Sequence, residues 1–225
     1  MATRKTSKSH FLTLHKESHM LKAAMEKCGL IAILRGVRPD EIEAIGAALY
    51  EEGFRLIEVP LNSPEPLESI RILRNTLPTE CLVGAGTVLS AAQVEQVKDA
   101  GGELIVMPHS DPAVIAAAKA AGMYSAPGVA TVTEAFAALA AGADILKMFP
   151  AEQLGPQVVK AWRAVVPFTV PLAPVGGITP ETLKVFHDAG ATSFGLGSSL
   201  YKPGMTADEV RARAKAFVAA WKALK

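Results

Sequence analysis

The chain has 225 residues, 50% of them hydrophobic and 20% charged, with a formal net charge of +1. This length and apolar content suffice for one domain to bury a large core. The near-zero charge removes any bulk electrostatic case for nucleic-acid or membrane partners, and two cysteines, Cys28 and Cys81, fit a reduced cytoplasmic protein better than a disulfide scaffold.

Residues 1–19 are basic and polar, with Arg4, Lys5, Lys8, Lys16 and three of the five histidines (His10, His15, His19). They lack the apolar core of a signal peptide. No stretch of the chain reaches the roughly 18–20 uncharged residues of a membrane span. The expectation is a disordered leader over 1–19 and a single domain over 20–225, with a helix beginning near Glu17.

From there one pattern repeats: a short β-rich run, a turn, then an amphipathic helix. The expected strands are Leu30–Arg35, Leu56–Leu61, Leu82–Thr87, Leu104–Pro108, Tyr124–Pro127, Ile145–Phe149, Leu172–Val175 and Phe194–Gly197. Apolar residues at three- and four-residue spacing mark helices between them, as in Ile42, Ile45 and Leu49 or Val158, Val159, Trp162 and Val165. Several helices close at glycine (Gly53, Gly101, Gly122, Gly142, Gly190), and several open on a capping residue before proline (Ser63-Pro64, Asp111-Pro112, Thr179-Pro180). Val210, Phe217, Val218 and Trp221 mark a closing helix. Eight strands alternating with helices predict an α/β fold, a (β/α)8 TIM barrel with an additional N-terminal helix. The competitor, an open doubly wound sheet, calls for a GxGxxG first turn, and Arg35-Gly36-Val37-Arg38-Pro39 is not one.

Barrel chemistry gathers at the C-terminal ends of the strands. Four expected strands carry polar residues there that packing alone does not select: Arg35, Glu58, Thr87 and Lys147. Lys147 sits between Leu146 and Met148 and shares strand parity with Ile145 and Phe149. Two readings stand: a lysine snorkelling from a strand edge, or an amine desolvated enough to attack a ketone as the free base. Glu58, equally embedded in Leu56-Ile57-Glu58-Val59, is either a structural ion-pair partner or a carboxyl tuned by burial to move protons. Arg35 offers a fork for carboxylate or phosphate. Thr87 ends Gly84-Ala85-Gly86-Thr87, a backbone that a ligand can approach closely. The glycine-rich turns Val175-Gly176-Gly177 and Gly195-Leu196-Gly197-Ser198 stand where barrels hold phosphate. His109 and His187 are isolated, so no metal site and no cofactor are expected.

These motifs resemble the 2-keto-3-deoxy-6-phospho-aldonate aldolases, a class I family, over about Leu30 to Tyr201. The match centres on Gly142-Ala-Asp-Ile-Leu-Lys147-Met-Phe149-Pro150-Ala151, on Gly53-Phe-Arg-Leu-Ile-Glu58 and on Gly84-Ala-Gly-Thr87-Val. The resemblance implies a Schiff base on Lys147, Glu58 as general acid and base, and pyruvate with glyceraldehyde 3-phosphate as products. It further implies substrate binding by Arg35 and Thr87, phosphate binding by Gly177, Gly197 and Ser198, and a homotrimer. Gluconate-type members follow their glutamate with Val-Thr-Leu-Arg and carry threonine before the Gly-Gly pair. This chain has Val59-Pro60-Leu61-Asn62 and Val175 with Gly176, and so resembles the galactonate-type members, with phosphogluconate or 4-hydroxy-2-oxoglutarate cleavage as the alternative. Further rivals are a phosphate-binding barrel isomerase or synthase that uses no imine, and a ligand-binding barrel without catalysis.

Overall fold

The computed structural model describes residues 20–225; the leader expected at 1–19, and the helix start near Glu17, lie outside the described residues. The described chain opens with helix α1 (20–27) and strand β1 (Leu30–Ile33). There follow α2 (Pro39–Glu52), β2 (Leu56–Pro60), α3 (Pro66–Thr76), β3 (Leu82–Gly86), α4 (Ala91–Asp99), β4 (Leu104–Val106) and α5 (Pro112–Ala120). Next come β5 (Tyr124–Ala126), β6 (Gly128–Val129), α6 (Val132–Ala140), β7 (Leu146–Met148) and α7 (Ala151–Leu154). The chain ends with α8 (Pro156–Arg163), β8 (Leu172–Pro174), α9 (Pro180–Asp188), β9 (Phe194–Leu196) and α10 (Ala207–Lys222).

All pairings are parallel. Six strands run in the order β5-β4-β3-β2-β1-β9 and three in the order β6-β7-β8. The two sheets meet at both seams. At one, β5 and β6 are halves of a single extended run divided by Pro127, which has no N–H to give a ladder; its carbonyl still accepts from the Lys147 amide at 3.0 Å. At the other, Val175 bridges Gly195. The result is a curled, TIM-barrel-like α/β fold.

Strand parity sorts the core into two clusters. Leu30, Ala32, Ile57, Val59, Val83, Ile105, Leu146 and Leu172 face outward and pack beneath the helices. Ile31, Leu56, Leu82, Leu104, Tyr124, Ile145 and Ala173 face inward, joined by Leu21 and Ala24 of α1. Burial on both faces explains why the strands read as nearly continuous apolar runs. It also makes a polar residue of inward parity conspicuous.

All eight expected strands are present, each ending one or two residues earlier than expected; Arg35 and Thr87, at two of these ends, leave the ladder to line a cavity. The glycines expected to close helices take positive φ, Gly53 at 116° and Gly190 at 113° among them. One expected start is corrected. Ser63 does not cap α3, whose N-cap is Glu65 at φ 41° with Pro66 following. The Ser63 hydroxyl instead accepts the Gly36 amide at 2.9 Å, tying the loop after β2 to the loop after β1. Neither β6 nor the four-residue α7 was expected from periodicity; both are too short to show a period.

Candidate active site

Lys147 is the middle residue of β7, paired in register with Gly128 on one side and Ala173 on the other. These small neighbours leave space around its long side chain. Glu58 lies in β2, between Ile33 and Gly84 in register. Glu58 shares parity with inward-facing Leu56, and Lys147 with inward-facing Ile145, so both point into the barrel above its apolar filling.

Both groups are buried, Glu58 at 1% and Lys147 at 7% exposure. Burial pushes the Glu58 carboxyl up to about 7, against the pull of the Lys147 and Arg35 charges. Burial likewise lowers the Lys147 ammonium, with the Glu58 charge opposing and that of Arg35 reinforcing the shift. Oε2 of Glu58 has no hydrogen-bond partner among the described residues. A structural ion pair satisfies both charges; here no salt bridge joins the two groups, and burial shifts each toward its neutral form. The Lys147 ammonium lies 4.9 Å from the Phe149 ring centroid.

A glycine makes the carboxyl's position available. A Cβ on Gly86 would collide with the Glu58 carboxylate, whereas one on Gly84 would strike the backbone carbonyl of Leu104. Immediately after, Thr87 takes φ 56°, a left-handed conformation that costs a non-glycine residue about 1 kcal/mol. The turn brings Thr87 Oγ1 to 3.4 Å from Nη1 of Arg35, which also donates to Oδ1 of Asn62 at 2.6 Å. Three loops, after β1, β2 and β3, thus converge on one guanidinium.

Arg35, Thr87, Lys147 and Val175 line a cavity of about 560 Å³ with Gly176, Gly177, Gly197 and Ser198. Every substrate-binding residue expected from the sequence is on this wall, and Glu58 lies buried beneath it. Gly176 (φ 107°) and Gly177 (φ 67°) adopt left-handed conformations that favour glycine and pack against Glu152. At Gly197 an added Cβ would meet nothing within 4 Å, so open space, not protein packing, adjoins this glycine. His109 is not on the wall; Pro108 is. Asn62, Phe149, Gly86 and Lys202 are the residues that sequence reasoning passed over as site components. Asn62 was visible as a departure from the gluconate-type motif, and Phe149 as part of the lysine signature. Gly86 was visible as part of the Gly84-Ala85-Gly86-Thr87 run but not as the neighbour of Glu58, and Lys202 gave no signal of its own.

A wider cleft of about 890 Å³ opens at the other end of the strands, beside α1. Its lysines are engaged, Lys119 with Asp144 at 2.9 Å and Lys225 with the Glu26 carbonyl at 2.6 Å. The pair of buried ionisable groups belongs to the smaller cavity. Among the described residues there is no cluster of three or more His, Cys, Asp or Glu able to hold a metal ion.

The family model described as "KDPG and KHG aldolase" matches residues 21–216. The chain belongs to the KDPG and KHG aldolase family. Within this aldolase family it is 53% identical over 195 residues to a Rhizobium meliloti (strain 1021) protein named "Probable 2-dehydro-3-deoxy-6-phosphogalactonate aldolase", covering 87% of this chain and 92% of that one. It is 45% identical over 196 residues to the Escherichia coli (strain K12) protein named "2-dehydro-3-deoxy-6-phosphogalactonate aldolase", covering 87% and 96%. The solved structure described as "Native KDPGal structure" superposes with a TM-score of 0.86 at 45% identity, over 88% of this chain and 96% of the other. No helix among the described residues of this family member is long and apolar enough to cross a membrane.

Proposed function

We propose that the chain is a class I aldolase that cleaves 2-dehydro-3-deoxy-6-phospho-D-galactonate to pyruvate and D-glyceraldehyde 3-phosphate, with Lys147 as imine lysine and Glu58 as acid and base. The observation that carries this reading is a buried amine and a buried, unpaired carboxyl under one cavity lined by Arg35 and two glycine-rich turns. The neutral Lys147 amine attacks the C2 ketone, and protonated Glu58 gives its proton to the departing oxygen as the carbinolamine loses water. The iminium then accepts the C3–C4 bonding electrons while the C4 hydroxyl gives its proton to the Glu58 carboxylate, releasing the aldehyde. Protonation of the enamine at C3 and hydrolysis of the imine return pyruvate and the free amine. A carboxyl poised near 7 suits both directions of proton transfer.

Arg35 and Thr87 bind the carboxylate end or backbone oxygens of the substrate, and Gly176, Gly177, Gly197 and Ser198 take the phosphate. Val175 supplies an apolar wall. A site built on hydrogen bonds to one epimer rejects the other sharply, whereas an apolar wall discriminates less. The chemistry therefore extends, at lower efficiency, to the gluconate epimer. The barrel closes as eight β/α units in a single domain over 20–225, with α1 as an additional element beneath it. The protein works in the cytoplasm as a homotrimer; the free, buried cysteines Cys28 and Cys81 are consistent with a reducing compartment.

Borohydride with pyruvate should add one reduced pyruvate mass to a peptide containing Lys147 in the wild type and none in Lys147→Ala. Cleavage assays on both epimers run in parallel. Absence of the adduct sinks the imine and leaves an isomerase or synthase reading. A faster rate on the gluconate epimer reverses the substrate assignment.

A further inference from the structure

The cavity lining carries three basic side chains, Arg35, Lys147 and Lys202, and no acid, while the Glu152 carboxylate lies against Gly176 and Gly177. The three are spread across it. Arg35 is drawn toward the loops after β2 and β3 by Asn62 and Thr87. Lys147 rises from the floor. Lys202 follows the β9 loop and stands beside the two glycine-rich turns. It is exposed, and no carboxylate pairs with it among the described residues.

Those turns offer donors without acceptors. The amides of Gly177, Ile178, Ser198 and Ser199 make no hydrogen bond among the described residues. The Ser199 hydroxyl donates to the Ile178 carbonyl at 2.7 Å, fastening one turn to the other. Arg213 donates to the Ser198 and Ser199 carbonyls, each at 3.3 Å, and braces the pair from behind. Unpaired amides grouped in this way form a concavity for an anion.

The backbone on either side of Lys202 is pinned. Tyr201 is buried, and its hydroxyl donates to Glu41 at 2.8 Å. Pro203 packs so tightly on Gly36 that a Cβ there would touch it. The Lys202 amide donates to the Met205 sulfur at 3.2 Å. A fixed Cα with an uncommitted four-carbon stem lets the ammonium swing over the turns while the chain stays still.

We propose that Lys202 is the cationic side of the phosphate subsite, closing its ammonium over a phosphoryl dianion seated on the amides of Gly177, Ile178, Ser198 and Ser199. This rests on the aldolase reading above and sharpens it. Arg35 and Lys202 then hold the two anionic ends of one substrate, with Lys147 between them, and Lys202 sets the preference for a phosphorylated over an unphosphorylated keto acid. An ammonium acts on phosphate as a point charge, so arginine at this position retains the function.

The test compares wild type, Lys202→Ala, Lys202→Glu and Lys202→Arg on the phosphorylated substrate and on the same keto acid without phosphate. The ratio of the two kcat/KM values should fall about tenfold in Lys202→Ala, the scale of one partly screened charge-assisted contact. The loss should appear in KM, deepen in Lys202→Glu, return in Lys202→Arg and shrink as salt is raised. Inorganic phosphate titrated against each protein, read by phosphorus resonance broadening, should bind more weakly to Lys202→Ala than to wild type. An unchanged ratio, or unchanged phosphate affinity, overturns the proposal. If the wild type cleaves neither substrate and traps no pyruvate, the aldolase reading fails, and the phosphate titration still decides the role of Lys202.

Discussion

Glu58 and Lys147 are each in an environment that favours the uncharged form, and this has a measurable consequence for stability. The folded-state value for Glu58, about 7, lies above the ordinary 4.5. Between those values the folded chain holds more protons than the unfolded one, so stability falls as pH rises across that window. Lys147 runs the other way: its lowered folded value means that stability rises as pH climbs toward its ordinary 10.5. A carboxyl forced to ionise when buried costs about 3 kcal/mol for a shift of this size. Glu58→Gln keeps the shape and removes the titration. Urea unfolding at pH 5 and pH 8 should show the variant more stable than wild type at pH 8 by about 3 kcal/mol, with the difference reduced to about 1 kcal/mol or less at pH 5. Its cleavage rate should fall by at least about a hundredfold, the scale of a general acid–base group. A destabilised Glu58→Gln at pH 8 contradicts the assignment of burial as the dominant cause. Gain of stability with loss of rate is the signature of a group kept for chemistry against the preference of the fold.

Strand β3 carries two glycines of inward parity that serve different ends. Gly84 faces the Leu104 backbone carbonyl, and Gly86 faces the end of the Glu58 side chain. A backbone carbonyl held in a ladder cannot yield, whereas a carboxylate rotates away at modest cost. Gly84→Ala should therefore destabilise by on the order of 3 kcal/mol or more. Gly86→Ala should cost about 1–2 kcal/mol yet lower kcat by about tenfold or more, because the carboxyl is displaced from its place in the site. Thermal unfolding and kcat on both variants check the contrast; equal stability losses with unaffected kcat in Gly86→Ala refute it. The same strand shows what sequence could and could not disclose. A lysine or glutamate inside an apolar run stands out by itself, so Lys147 and Glu58 were legible from one strand each. The strand-helix alternation that gives the fold was legible because parallel strands buried on both faces leave long apolar runs. The role of Gly86 beside Glu58 was not, because its reason lies in the side chain of another strand. The grip of Asn62 on Arg35 was hidden for the same cause: it joins loops 27 residues apart. The left-handed Thr87 left no trace either, since nothing in its type announces a strained backbone.

Across the whole molecule, the catalytic residues proposed here share one end of the barrel while α1 packs at the other, which leaves the flanking helices as surfaces for assembly. Surface helices are usually polar on the outer face. Two neighbours depart from that. α5 (PAVIAAAKA) exposes Ala113, Ala116 and Ala120, and α6 (VTEAFAALA) exposes Phe136 at 46% together with Ala137 and Ala140. Their only charged residues are Lys119 and Glu134, and Glu134 is taken up in capping α6 through the Ala130 and Thr131 amides. Small residues around one aromatic ring form a surface that a second chain can approach closely, and contiguous apolar area of this kind marks association surfaces. We expect this face to form an interface between copies in the proposed homotrimer. Light scattering on the wild type should then give a mass three times that of the chain. Phe136→Glu, which sets a carboxylate into that contact and leaves the core behind α6 untouched, should shift the distribution to monomer at low micromolar concentration. Its circular dichroism should stay that of wild type. Val185→Glu replaces an equally exposed apolar residue on α9 (50%) and serves as the control that keeps the trimer. A monomeric wild type rejects the trimer. A Phe136→Glu variant that remains trimeric moves the interface to another face and leaves the α5–α6 surface without this role.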